Sequence, residues 1–177
     1  MRHEDRVRGL AFSEPITPPF DWEDWPAGSR ALFQYLRTAQ GEKDVLENNF
    51  FVNAAQQNIS RMLAPAEWAE IVRPYAEPGA GRRLTIDWPR EVPFGNDQSE
   101  TRAALEAQAA WLATTPIPKL HMPGTPGAIA RMGGRKRELI STWPNLTESP
   151  VPGFHWTPED APHAMGAALA QWLRGLG

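Results

Sequence analysis

The chain has 177 residues and a formal net charge of -3, which fit one globular domain and argue against a protein that binds nucleic acid. Hydrophobic residues make up 41% and charged residues 22%, so the composition is not that of a disordered chain. It contains no cysteine, which excludes disulfides, zinc–thiolate sites and a thiol nucleophile. With no apolar run of membrane-spanning length and no signal-peptide pattern, we expect a cytoplasmic protein.

The N-terminal part of the sequence predicts one strand followed by helices. Residues 7–13 form a short apolar run typical of a buried strand. Residues 14–28 are rich in proline and tryptophan, which indicates a loop. Ser29 is then expected to cap a helix over residues 31–39, which carry an apolar stripe, and a second helix is expected at about residues 42–48.

The middle of the chain predicts further helices without strands between them. Pro65 suits the first turn of a third helix. Residues 79–96, with two Xaa–Pro pairs, are predicted to be a loop. Asp97 and Glu100 have capping-box spacing ahead of a helix that runs to Leu112. Helices with no strands of their own suggest a lid inserted into a sheet domain.

The C-terminal part alternates strands and helices. A strand at residues 117–122 is followed by a helix near residues 135–141 and by a second strand near residues 146–151. Residues 152–160 form a loop ahead of a final helix. This order is typical of the end of a parallel sheet that is flanked by helices.

Two residues are candidates for catalysis because each follows a predicted strand. His155 lies in the loop after the last strand, and Glu14 directly follows the first. Active sites of parallel sheets lie at the carboxyl ends of their strands, and a carboxylate there can orient an imidazole. A solvated loop histidine and a surface glutamate remain the alternatives. His121, inside an apolar strand, is expected to be a buried histidine, whereas His3 and His163 are expected to face water.

A nucleophile is harder to find in the sequence. It contains no G-x-S-x-G or G-x-D-x-G elbow, and Asp87 is followed by Trp88 and Pro89 where an elbow needs glycine, so Asp87 is predicted to be a loop carboxylate. The eight tryptophans suit either core packing or an aromatic pocket whose N–H groups donate to a halide. The basic run at residues 135–137 is expected to form a solvated helix face.

Several segments, in this order, resemble haloalkane dehalogenases of the α/β-hydrolase superfamily. They are HEDRVRGLAFSEPI, DWEDWP, ALFQYLRT, VLENNFFV, RRLTIDWPREVPF, WLATTPIPKL, GTPGAI, TWPNLTE and PGFHWTPEDAP. The resemblance extends over nearly the whole chain and implies an α/β fold, a partial α/β-hydrolase with a helical cap and the last strands and helices of a parallel sheet. Residues 1–14 would carry a core strand, residues 15–113 the cap, and residues 114–177 the C-terminal strand–helix part.

The resemblance also implies a reaction and a site. In the family, an aspartate displaces halide from carbon and a histidine-activated water hydrolyses the resulting ester. By position, His155 would be the general base and Glu14 its acidic partner, with Ile59 near the tunnel mouth and no cofactor or metal. The substrate would be a small apolar halogenated compound and the product a halide, while the oligomeric state stays open. The pocket would be lined by Trp25, Phe33, Phe51, Trp88, Pro89, Ile129 and Trp156.

The family's nucleophile does not match any position of this sequence. In the family it lies in an H-D-W-G-like elbow upstream of the strand that matches residues 7–13. We therefore expect the 177 residues alone to be inactive, because a correct histidine does not replace the first chemical step. The alternatives are a non-catalytic relic or partner-binding helical module, and a related α/β-hydrolase such as an epoxide hydrolase or a coelenterazine-type luciferase.

Overall fold

The computed structural model describes residues 3–176, apart from residues 18, 20, 26, 96 and 129–133. No helix in this described part is long and apolar enough to cross a membrane. The strands are β1 (Leu10–Phe12), β2 (Lys119–His121), β3 (Gly124–Pro126), β4 (Leu146–Glu148) and β5 (Val151–Gly153). The helices are α1 (Ala27–Tyr35), α2 (Ala39–Asn48), α3 (Phe50–Ala55), α4 (Pro65–Val72), α5 (Leu84–Arg90), α6 (Glu100–Leu112), α7 (Gly134–Ser141), α8 (Thr157–Asp160) and α9 (Pro162–Arg174).

The strands form two small parallel sheets. One has the order β1-β2-β4 and the other pairs β3 with β5. Phe12 stands opposite His121, and His121 opposite Glu148, so the carboxyl ends of the three strands lie at one edge. The parallel arrangement with intervening helices confirms the predicted α/β class. The predicted strand at residues 146–151 is interrupted, because β5 leaves the first sheet and pairs with β3.

The six helices α1–α6 lie between β1 and β2 in the sequence, without a described strand of their own. Leu36, directly after α1, packs with Val45 on α2 and Ile86 on α5, and none of these three side chains is exposed to solvent. A second cluster packs Trp25 and Phe94 with the Phe33 ring, at centroid distances of 4.5 to 5.8 Å. The division into a cap and a hydrolase part at residues 15 and 114 stays a prediction.

The structure corrects two helix starts. Ser29 was expected to cap a helix, but α1 already begins at Ala27, so Ser29 lies in its first turn. The cap of α6 is Ser99, whose hydroxyl accepts a hydrogen bond from the Arg102 N–H at 3.2 Å, and Asp97 instead accepts one from the Ser99 N–H at 2.9 Å. In both segments several residues suit a cap, and the packing of the helix decides which one is used.

The loop predicted over residues 79–96 contains helix α5. Pro89 lies inside this helix, and the Asp87 and Glu91 N–H groups still donate to carbonyls one turn back. Ile86 and Pro89 are fully buried, so packing offsets the hydrogen bond that proline cannot form. Asp87, expected in a loop, lies on α5 and pairs with Arg83.

The basic run at residues 135–137 is not uniformly solvated. Lys136 is buried, and its ammonium donates to the Pro19 carbonyl at 3.0 Å. Arg137 is half exposed and pairs with Glu148 on the neighbouring strand. The expectation of a solvated face was therefore wrong for Lys136, because the long lysine side chain reaches a carbonyl elsewhere in the chain.

Candidate active site

Glu14 is held by backbone groups at the carboxyl edge of the sheet. It follows β1 with a positive φ of 44°, and its side chain is only 3% exposed. One carboxylate oxygen accepts from the Gly124 N–H at 3.1 Å, and the other from the Ala128 N–H at 3.2 Å. Two such bonds fix the orientation of a buried carboxylate and stabilise its charge. A surface glutamate, the alternative left open by the sequence, is excluded.

His155 lies beside this carboxylate. Its Nδ1 is 3.7 Å from Glu14 Oε2, and a third of the side chain is exposed. Nδ1 itself is buried and has no partner within hydrogen-bond distance in the described part of the chain. Catalytic hydrogen bonds are commonly longer in free enzymes than in complexes, so a shift of about 1 Å would close this pair.

The turn before His155 depends on a glycine. Gly153 has a φ of 143°, and an added Cβ would lie 2.7 Å from the Asp160 Cβ. Gly124 has a similar role, because its Cβ would approach the Phe154 carbonyl oxygen to 2.5 Å. The two glycines thus let residues 154–156, the histidine loop, come into close contact with residues 124–128, which bind Glu14.

A cavity of about 240 Å³ lies in front of His155. Its wall is mainly aromatic and aliphatic, and its described lining residues include no carboxylate. Such a cavity suits a small apolar molecule. It is lined by Ile16, Trp25, Ser29, Leu32, Phe33, Phe51, Ala54, Ala55, Asn58, Trp88, Val92, Ala128, His155 and Trp156.

The structure brings together most of the residues suggested by the sequence. Five of the predicted pocket residues, together with His155, line the cavity: Trp25, Phe33, Phe51, Trp88 and Trp156. Ile59 and Pro89 are buried beside lining residues but are not part of the wall, and Ile129 lies outside the described residues.

Two polar lining residues were not predicted for this site. The sequence predicts Ser29 as a helix cap and indicates no role for Asn58. Asn58 ends the polar run Q-Q-N at positions 56–58, a pattern that sequence alone does not separate from a surface loop.

The remaining histidines lie away from the cavity wall. His121 is buried on β2, stacks on Phe12 with ring centroids 5.0 Å apart, and places Nδ1 3.4 Å from Glu148. Burial lowers the pKa of His121, although the nearby Glu148 carboxylate opposes this shift. His121 is therefore a buried core histidine, as expected, and His3 and His163 are exposed.

Comparisons with known proteins support the family assignment. The chain is 41% identical over 176 residues to a haloalkane dehalogenase of Sphingobium indicum and 39% identical over 178 residues to one of Mycolicibacterium smegmatis. It is 32% identical over 177 residues to a coelenterazine h 2-monooxygenase of Renilla reniformis. These alignments cover 97–99% of this chain but only 59%, 56% and 55% of the three relatives. No protein-family model matches the chain.

Solved structures give the same result. An ancestral haloalkane dehalogenase superposes with a TM-score of 0.90 at 33% identity, covering 99% of this chain and 62% of that one. The haloalkane dehalogenase from Bradyrhizobium elkani superposes with a TM-score of 0.90 at 34% identity, covering 99% and 61%. The chain is thus a relative of the haloalkane dehalogenases, of the α/β-hydrolase class, and corresponds to their C-terminal part.

Proposed function

We propose that this chain carries the ester-hydrolysing half of a haloalkane dehalogenase-type active site. The observation that carries the proposal is the pair formed by the His155 Nδ1 and the buried Glu14 carboxylate, 3.7 Å apart, at an aromatic cavity. His155 is the general base and Glu14 its acidic partner. The nucleophilic carboxylate is a residue that these 177 residues do not supply.

The chemistry follows from the two imidazole nitrogens. A proton on Nδ1 directed at Glu14 leaves Nε2 unprotonated, so that Nε2 accepts a proton from a water molecule. The water oxygen attacks the carbonyl of an alkyl ester, and the ester C–O bond of the resulting tetrahedral intermediate breaks. The departing alkoxide takes a proton from the imidazolium and leaves as the alcohol, and the proton of the new carboxylic acid passes to solvent, which restores the carboxylate. Because Glu14 is buried and charged, it stabilises the imidazolium formed in this step.

The cavity supports a proposal for the class of substrate. Its volume of about 240 Å³ and its aromatic wall suit a small apolar haloalkane. Trp25, Trp88 and Trp156 line the cavity, and indole N–H groups are suitable donors to a departing halide. We propose the cytoplasm as the location, in keeping with a sequence without cysteine.

The test is a chimaera that joins the unmatched N-terminal part of the Sphingobium indicum relative to this chain. With 1-bromobutane, the chimaera should release bromide repeatedly. The His155→Phe variant should release about one bromide per protein molecule and retain the butyl group as an ester that mass spectrometry detects. His163→Phe is the matched control, since His163 is exposed in the first turn of α9, and should turn over normally.

Two results would count against the proposal. Sustained bromide release by His155→Phe would exclude His155 as the base. A folded chimaera that releases no bromide would exclude this chain as part of a dehalogenase. Concentration-dependent self-association of that inactive protein would then favour a partner-binding module.

A further inference from the structure

The histidine loop is fastened to the segment between α3 and α4 by one carboxylate, that of Asp160. Asp160 Oδ1 accepts hydrogen bonds from the Ser60 N–H at 2.7 Å and from the Arg61 N–H at 3.1 Å. Asp160 Oδ2 accepts one from the Phe154 N–H at 2.7 Å. Three backbone donors from two distant parts of the chain therefore converge on one side chain.

Further contacts hold the same two segments together. The Trp156 N–H donates to the Asn58 carbonyl at 3.1 Å, and both residues line the cavity. The Arg61 guanidinium donates to the Glu159 carbonyl through Nε and binds the Glu67 carboxylate with both terminal nitrogens. The residues on both sides of His155 thus take part in these contacts, Phe154 through the Asp160 carboxylate and Trp156 through the Asn58 carbonyl.

The charge of Asp160 is suited to this position. Burial favours a raised pKa of Asp160, but the N–H groups of Phe154, Arg61 and Ser60 outweigh burial and hold the pKa below its usual value. The carboxylate is also packed against Gly153, where a Cβ would lie 2.8 Å from Oδ2. The backbone of the histidine loop is thus shaped around an ionised Asp160.

We propose that Asp160 is a positioning residue, which fastens Ser60 and Arg61 to Phe154 and so sets the distance between His155 and Glu14. This inference rests on the proposed function, in which that distance determines how well His155 acts as a base. Asp160 is not among the described residues that line the cavity. Its effect on the reaction passes through the backbone of the histidine loop.

Replacement of Asp160 by asparagine tests the geometry. An amide has one acceptor oxygen, and its NH2 group must face either the Phe154 N–H or the N–H groups of Ser60 and Arg61. One side of the contact is therefore lost in either orientation. Asp97→Asn is the matched control, since among the described residues Asp97 accepts one backbone N–H, from Ser99, and keeps an oxygen for it after the change.

The first readout is amide hydrogen exchange in the 177-residue chain, which does not depend on activity. Asp160→Asn should speed exchange at Phe154 or at Ser60 and Arg61 by about tenfold or more, the effect of one lost charge-assisted hydrogen bond. Asp97→Asn should leave these amides unchanged. Unchanged exchange in Asp160→Asn would overturn the proposal, whatever the chimaera does.

The second readout separates positioning from stability. In the chimaera, Asp160→Asn should slow ester hydrolysis by about tenfold or more while bromide release in the first turnover stays within about twofold. Gly153→Ala, which displaces Asp160 without changing charge, should show the same split. Equal loss in both steps would mean that Asp160 only stabilises the fold, and would overturn the positioning role. A chimaera without any turnover would instead refute the proposed function.

Discussion

Lys119 on β2 is a charged residue with no solvent-exposed surface. Its ammonium donates to the carbonyls of Thr115 at 2.8 Å, Ile117 at 3.0 Å and Pro144 at 3.0 Å, so all three of its hydrogens are used. The bond to Pro144 joins the starts of β2 and β4. We predict that Lys119→Met, which keeps the length of the side chain, destabilises the protein by leaving these carbonyls without their donor.

The expected loss in the free energy of unfolding of Lys119→Met is the difference between lost hydrogen bonds and a recovered desolvation cost. Each charge-assisted hydrogen bond contributes about 1.5–3 kcal/mol, while removing the ammonium recovers part of a desolvation cost of several kcal/mol. The net loss should be about 3 kcal/mol. For a chain of this length that corresponds to a fall in Tm of roughly 6–12 °C.

The assay is thermal unfolding followed by circular dichroism, with urea unfolding as a second measure. Lys43→Met is the control, because Lys43 is 61% exposed and its nearest carboxylate oxygen, on Glu47, is 3.9 Å away. This control should change the Tm by no more than about 2 °C. Equal shifts for the two variants, or a higher Tm for Lys119→Met, would refute the reasoning.

Two further predictions concern carboxylates. Glu14→Gln in the chimaera should slow ester hydrolysis by about a hundredfold or more without slowing the first bromide release, because a neutral amide stabilises the His155 imidazolium less. Single-turnover kinetics measures the two steps separately, and an unchanged rate of ester hydrolysis would contradict this prediction. The second prediction concerns Glu67, whose pKa is lowered to about 2 by the Arg61 guanidinium and the Ala64 N–H. The contacts of the ionised Glu67 therefore stabilise the fold fully above about pH 4.5, and this stabilisation is lost as the pH falls towards 2. In urea titrations, the free energy of unfolding should therefore fall less steeply with decreasing pH in Glu67→Gln than in the unchanged protein. Glu70, in an exposed pair with Arg73, provides the control, and Glu70→Gln should leave this pH dependence unchanged. Identical pH dependence in both variants would contradict the prediction.

Much of the site was predictable because local patterns mark strand ends. Glu14 and His155 each follow a short apolar run, and the ends of parallel strands are where such sheets place functional side chains. Because His155 follows β5, which pairs with β3 outside the three-stranded sheet, its closeness to Glu14 was decided by the tertiary structure. The aromatic pocket residues came from the family resemblance, not from periodicity. The His155–Glu14 distance and the two N–H groups that hold Glu14 required the folded chain.

The errors share a physical cause. Helix α5 was missed because Pro89 weakens a helix locally, and the burial of Ile86 that compensates is a property of the tertiary fold. Lys136 was expected to be solvated because the run around it is charged, but its partner, the Pro19 carbonyl, is 117 residues away in the sequence. Local sequence carries no information on such a partner.

The sequence by itself determined the α/β class, the positions of β1 and β2, and the two candidate catalytic residues, because short-range hydrophobic patterns and chain order govern these features. The tertiary structure alone decided that the Glu14 carboxylate is buried and bound, that β5 leaves the first sheet, and that Asp160 fastens the histidine loop to residues 60 and 61. The bonds of Glu14 and Asp160 join residues 110 and 100 positions apart, and β5 finds its partner strand β3 outside the first sheet, so these features form only when the whole core packs.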